Sequence, residues 1–130
     1  SLLARQRITR TMWFGFEYER VDREDRYAGY NNYVRDHYEF EFHWSPGVRF
    51  DLELSGYYRN YNYENAFAFN NPALPTKTLE TARADATFSY RITPRLSVSL
   101  EGRFDDLVSN DSRIQYDRGR YSLGFVWRQD

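Results

Sequence analysis

Residues 37 to 44 read HYEFEFHW, and strict alternation sets His37, Glu39, Glu41 and His43 on one face of an extended strand. Tyr38, Phe40, Phe42 and Trp44 take the other face. Imidazole and carboxylate together are the donors of a divalent-metal site. Neighbours on one strand face stand about 7 Å apart, so one strand spreads its ligands too far for one ion and a second would have to contribute. The competing reading is an acidic strand that faces water and pairs with arginines of neighbouring strands. That reading is the one carried forward, and neither a metal nor a cofactor is expected.

Carboxylates recur at the same parity elsewhere, as Glu17, Glu19, Asp51, Glu53, Asp85, Glu101 and Asp105. A hydrolase of glycosides would need two of them about 5.5 Å or about 6.5 to 9.5 Å apart. No spacing selects one pair over the rest. Arg35, Arg49, Arg59, Arg83, Arg91 and Arg103 share their parity, so ion pairing explains the acids more simply than a raised pKa. No nucleophile elbow or triad pattern accompanies the serines and histidines, and cysteine is absent. The chain is therefore read as a non-enzyme.

Strands must position these groups. Period-two alternation predicts six of them, over residues 8–22, 33–44, 48–62, 81–92, 96–105 and 113–128. Short turns, Ser45-Pro46-Gly47 and Thr93-Pro94-Arg95, alternate with longer polar connections, DREDRYAGYNN, ENAFAFNNPALPTKTLE and VSNDSR. No helix of useful length separates the strands. The predicted fold is all-β, a single domain over residues 1–130 built as an antiparallel up-and-down meander.

Composition narrows what such a meander could be. The chain balances 18 basic against 19 acidic residues, which excludes a polybasic arm for nucleic acid. Aromatics reach 19%, yet the mean hydropathy is −0.85, as for a very polar protein. A single buried core does not reconcile the two values. A sheet with an aromatic face towards lipid and a charged face towards a wet interior does. The apolar parity holds Phe14 and Phe16, then Tyr38, Phe40, Phe42 and Trp44, then Phe50 and Tyr58. It continues with Phe88 and Tyr90 and ends with Tyr121, Phe125 and Trp127. Tyrosine and tryptophan gather near the strand ends, as the girdles of a membrane barrel require. Most of the predicted strands also reach the length of about 9 to 11 residues that spans a bilayer.

Long alternating strands, short turns on one side, longer loops on the other and the final RYSLGFVWRQD resemble bacterial outer-membrane β-barrel proteins as a class. Terminal strands of that class carry a glycine, two spacers, then an aromatic, any residue and an aromatic. Phe125 and Trp127 fill the aromatic places and Ser122 stands in the glycine place. The resemblance implies an outer-membrane location, with turns and termini periplasmic and loops extracellular. It also implies a pore for hydrophilic solute or polymer, or a membrane anchor for a larger assembly. Single-chain barrels of this kind have at least 8 strands. Six strands therefore imply either the C-terminal part of a barrel, the favoured expectation, or several copies closing one pore. The alternative from another class is a soluble antiparallel barrel or sandwich that buries the aromatic parity and binds a ligand or partner.

One loop stands apart. AFAFNNPALP, residues 66–75, sets Phe67 and Phe69 in a segment expected to be exposed. An exposed apolar patch marks a contact, either with a protein partner or with the barrel's own rim.

Overall fold

The computed structural model describes residues 1–24 and 32–127. It forms one seven-stranded sheet in the order β1-β2-β3-β4-β5-β6-β7, each strand antiparallel to the next. The strands are β1 (Leu2–Thr9), β2 (Met12–Arg23), β3 (Tyr33–Trp44), β4 (Phe50–Phe67), β5 (Thr76–Arg91), β6 (Leu96–Ser109) and β7 (Tyr116–Trp127). Short 3-10 turns at Ala68–Asn70 and Ser112–Ile114 interrupt two of the loops. The meander is as expected. The sheet is open, because β1 and β7 do not pair with each other.

Seven strands rather than six is a correction, and its cause is local. The predicted first strand over residues 8–22 is in substance β2, and the unexpected strand, β1, precedes it, joined at Arg10-Thr11 by a turn that the Thr9 hydroxyl stabilises by accepting from the Thr11 amide at 3.2 Å. A tight turn without glycine or proline gives no punctuation in sequence. Arg49, expected on the lumen face, is exposed in the turn before β4, where its carbonyl accepts from the Arg91 amide at 2.8 Å. A second correction is the long connection after β4. β4 runs on to Phe67 and β5 begins at Thr76, so this hairpin projects well past its neighbours. The connection expected after the first strand falls largely on residues 25–31, outside the described residues.

Register fixes the two faces. Between β2 and β6 the paired positions match odd with odd and even with even, except for Phe67 with Thr76 beyond the register shift at the loop end of β4, so the charged odd positions of the paired strands fall on one face. β6 to β7 switches parity, Leu100 opposing Leu123 and Asp105 opposing Arg118, and this keeps Tyr121, Leu123, Phe125 and Trp127 on the aromatic face. Phe14, Phe42, Leu54, Ala86 and Gly102 form one row of that face, and Phe16, Phe40, Gly56, Ala84 and Phe104 the next. Phe88 and Phe50 meet edge to face, with centroids 5.1 Å apart.

The core of an ordinary domain is missing among the described residues. The only buried apolar side chain is Ala68 in a loop, whereas the buried groups on the strands include His37, Asp105 and Ser109. Phe40, Leu100 and Phe104, on interior strands, remain 40%, 53% and 47% exposed. No described element covers the aromatic face.

Candidate functional site: the charged face and its rim

The charged face is built row by row from the strand register. In the row Arg5, Gly15, Glu41, Ser55, Asp85, Arg103 and Arg120, Gly15 is the device that matters. With no side chain between them, Arg5 reaches across β2 and donates to the Glu41 carboxylate at 3.0 Å. Its guanidinium also lies 4.6 Å from the centre of the Trp13 ring. Further along that row Arg103 donates to Asp85 at 2.5 Å. In the next row Asp105 accepts from Arg83 at 2.5 Å and from Arg118 at 3.4 Å. Two guanidiniums thus share one carboxylate.

The histidines are held by this network. His37 Nδ1 accepts from Arg59 Nε at 3.0 Å, and Nε2 lies 3.1 Å from a Glu39 oxygen. That pattern suits the neutral tautomer with its proton on Nε2. Arg59 lies 4.1 Å and Arg83 5.4 Å from the ring centre of Tyr57, so the ring is flanked by two cations. Arg35 pairs with Glu19, and Glu17 stands directly opposite Glu39. Glu101 accepts from the Ser122 hydroxyl at 3.2 Å. Arg91 ends β5 near the turns, opposite Ser97.

His43, Asp51 and Glu53 come together across the β3–β4 turn, with candidate ligand atoms all within 4.8 Å of one another. The four groups of HYEFEFHW do not converge on one point, but β4 supplies the second strand that a site at His43 would need. His43 Nε2 is 3.0 Å from Asp51 Oδ2, a hydrogen bond that accounts for the arrangement without an ion. Sequence reasoning missed this grouping because it depends on the register across the turn, which sets His43 opposite Glu53. The signal for Arg5 was equally faint, a glycine at position 15 of the charged parity.

The aromatic face carries its own order. Tyr18, Tyr38 and Tyr58 form one row across three strands, with neighbouring ring centres 5.0 and 6.3 Å apart. Tyr18 was not among the girdle residues expected from sequence. One row beyond, the same face turns polar with Arg20, Asp36, Asn60 and Glu80. Towards the turns the band ends at Trp44, Phe50, Tyr90, Phe125 and Trp127. From Phe50 to Tyr58 is eight residue rises, about 27 Å along the strand. Among the described residues no helix is long and apolar enough to cross a membrane.

At the loop rim, the apolar segment 66–75 is fastened to the β6–β7 loop. Buried Asp111 accepts from the Phe69 amide at 3.1 Å and from Arg113 at 2.6 and 2.8 Å. Phe69 itself stays 41% exposed under the Arg113 guanidinium, and Phe67 is half-buried. Phe69 and Asn70 both take positive φ, 56° each, a left-handed turn that is unusual for phenylalanine and that the Asp111 contact holds in place. The Arg113 guanidinium, with two backbone amides, keeps the Asp111 carboxyl well below the usual carboxylate range. A depressed folded-state pKa means that this contact contributes fully above the unfolded value of about 3.9, and is lost only as pH falls through the lower folded value. The contact is therefore expected to persist at pH 4. Asp111→Asn should raise hydrogen exchange at the Phe69 amide about tenfold or more at neutral pH, the equivalent of one charge-assisted hydrogen bond. Unchanged exchange would show that the loop is held by something else.

Compared with known protein families, with characterised proteins and with solved structures, the chain matches none, so the two faces of this sheet and their register carry the functional argument.

Proposed function

We propose that these strands are part of a transmembrane β-barrel of a bacterial outer membrane. Its aromatic face meets lipid, and its charged face lines a polar interior. One observation carries the reading: among the described strand residues the buried side chains are the polar His37, Asp105 and Ser109, and no aromatic or aliphatic side chain of a strand is buried. That is the reverse of a water-soluble sheet. The depth order supports it, because an apolar band lies between a tyrosine row and a second aromatic row near the turns, with polar groups beyond. An open sheet edge in lipid would leave unpaired backbone groups, each costing several kcal/mol, so further strands complete the barrel.

The interior is a mixed-charge wall. It would act as a conduit for hydrophilic solute or polymer, or as a filled, ion-paired anchor for a larger assembly. Neither role calls for an enzymatic site or a cofactor. Carboxylates dominate the face over β2 to β4, at Glu17, Glu19, Glu39, Glu41, Asp51 and Glu53, and arginines prevail towards β7. The fastened 66–75 loop presents Phe69 at the rim as the contact point for a protein partner.

The three tryptophans test the reading directly. Trp44 and Trp127 lie on the aromatic face and Trp13 on the charged face. In single-tryptophan variants reconstituted in vesicles, brominated acyl chains should quench Trp44 and Trp127 strongly and leave Trp13 largely unaffected. Iodide in the water should not reach Trp44 or Trp127. Blue-shifted Trp44 and Trp127 that brominated lipid does not quench, in a chain extracted without detergent, would instead favour a soluble sheet that buries its aromatic parity and binds a ligand or partner.

A further inference from the structure

The two open edges are not equivalent to the interior strands. Direction alternates along a meander, so β1 and β7 run the same way. A seam between them would be parallel, whether within one chain or between copies arranged around a common axis. All six pairings observed are antiparallel. Joining β1 to the β1 of a second copy would restore an antiparallel seam, but only with one copy inverted across the membrane and its loops on the wrong side.

Charge argues in the same direction. On the charged face β7 presents Arg118 and Arg120, and β1 presents Arg5 and Arg7. Neither edge strand carries a carboxylate on that face, since Asp117 lies on the other parity. Among the described residues Arg120 has no ion-pair partner, because Arg103 opposite it is turned to Asp85. Arg7 reaches only the carbonyl of Arg10, at 3.2 Å. A second copy docked at either edge would set arginine beside arginine.

We infer that the edges are sealed not by another copy of this chain but by an odd number of further antiparallel transmembrane strands. These strands carry carboxylates inward, level with Arg118 and Arg120 on one side and with Arg5 and Arg7 on the other. The inference rests on the barrel reading and deepens it by naming the partner's chemistry. It also decides between the two ways of completing a barrel, in favour of different strands over repeated copies.

The test uses the chain in detergent micelles and three synthetic 12-residue strands. Each alternates leucine and valine outward with Glu, Gln or Arg inward, and has tyrosine at both ends. Native mass measurement reads the complex, and hydrogen exchange reads the amides of β1 and β7. The Glu strand should bind at the open edges and protect the amides of β1 and β7, at least roughly tenfold more tightly than the Gln strand, since cross-strand pairs of opposite charge each add a little. The Arg strand should not bind. Arg118→Glu with Arg120→Glu should weaken the Glu strand and admit the Arg strand, while insertion, read by lipid quenching of Trp44, is unchanged. Equal binding of all three strands, or a closed ring of copies formed without any of them, would overturn the inference while leaving the barrel intact. Failure of lipid to quench Trp44 would remove the barrel reading, and the inference with it.

Discussion

Leu54→Arg should cost about 2–4 kcal/mol of stability in a bilayer, the penalty of a cation on the lipid face at mid-depth. Leu54 stands in the central row of the aromatic band, between Phe42 and Ala86. The adjacent change, Ser55→Arg, should shift stability by less than about 1 kcal/mol, because Ser55 points to the charged face between Glu41 and Asp85. Two neighbouring positions given the same side chain thus differ several-fold in cost. Depth supplies a third point: Tyr58→Arg, in the girdle row, should cost only about 0–1 kcal/mol. Reversible urea unfolding from vesicles measures all three. If Leu54→Arg were as mild as Ser55→Arg, the aromatic face would be in contact with water and the membrane assignment would fall. If Ser55→Arg were the costlier change, the two faces would be assigned the wrong way round.

The parity that makes this contrast possible was legible in the sequence, and the limits of the band were not. Alternation is strong wherever one parity must be apolar, as from Met12 to Tyr18 or from Phe50 to Tyr58. Past the tyrosine row both parities turn polar, with Asn60 and Asn62 on one face and Tyr61 and Tyr63 on the other, so alternation no longer marks the strand. That is why β4 and β5 run further than expected. β1 escaped for the opposite reason. LLARQRIT mixes apolar and polar residues on both parities, and only its pairing with β2 reveals it as an edge. Register was the remaining unknown. His43 with Asp51 and Glu53, and Arg5 with Glu41 across Gly15, are contacts between strands whose offsets depend on turn geometry rather than on the strands' own residues.

Gly56→Ala should be the most damaging single-methyl change in the sheet, at about 1–3 kcal/mol, the usual cost of overpacking. A Cβ there would fall 2.5 Å from the Arg83 carbonyl oxygen and 2.7 Å from a Phe40 ring carbon. The ring can turn aside, but the carbonyl belongs to the backbone of β5 and can move only by loosening the β4–β5 pairing. Phe40→Ala should therefore recover little of the loss, which separates a backbone clash from a side-chain one. Gly102, one row away on the same face, provides the control. Its added Cβ would meet the Tyr121 ring at 3.5 Å, an ordinary contact. Gly102→Ala should therefore be neutral or stabilising by about 0.5–1 kcal/mol, through the lower entropy of the unfolded chain. Urea unfolding of the four variants reads the comparison. Equal penalties at positions 56 and 102 would mean that the close β4–β5 approach is absent. Full rescue by Phe40→Ala would mean that the ring alone sets the limit. A selective, unrescued loss at Gly56 would confine the constraint to the row in which Gly56 stands between Phe40 and Ala84, where the Arg83 carbonyl leaves no room for a side chain.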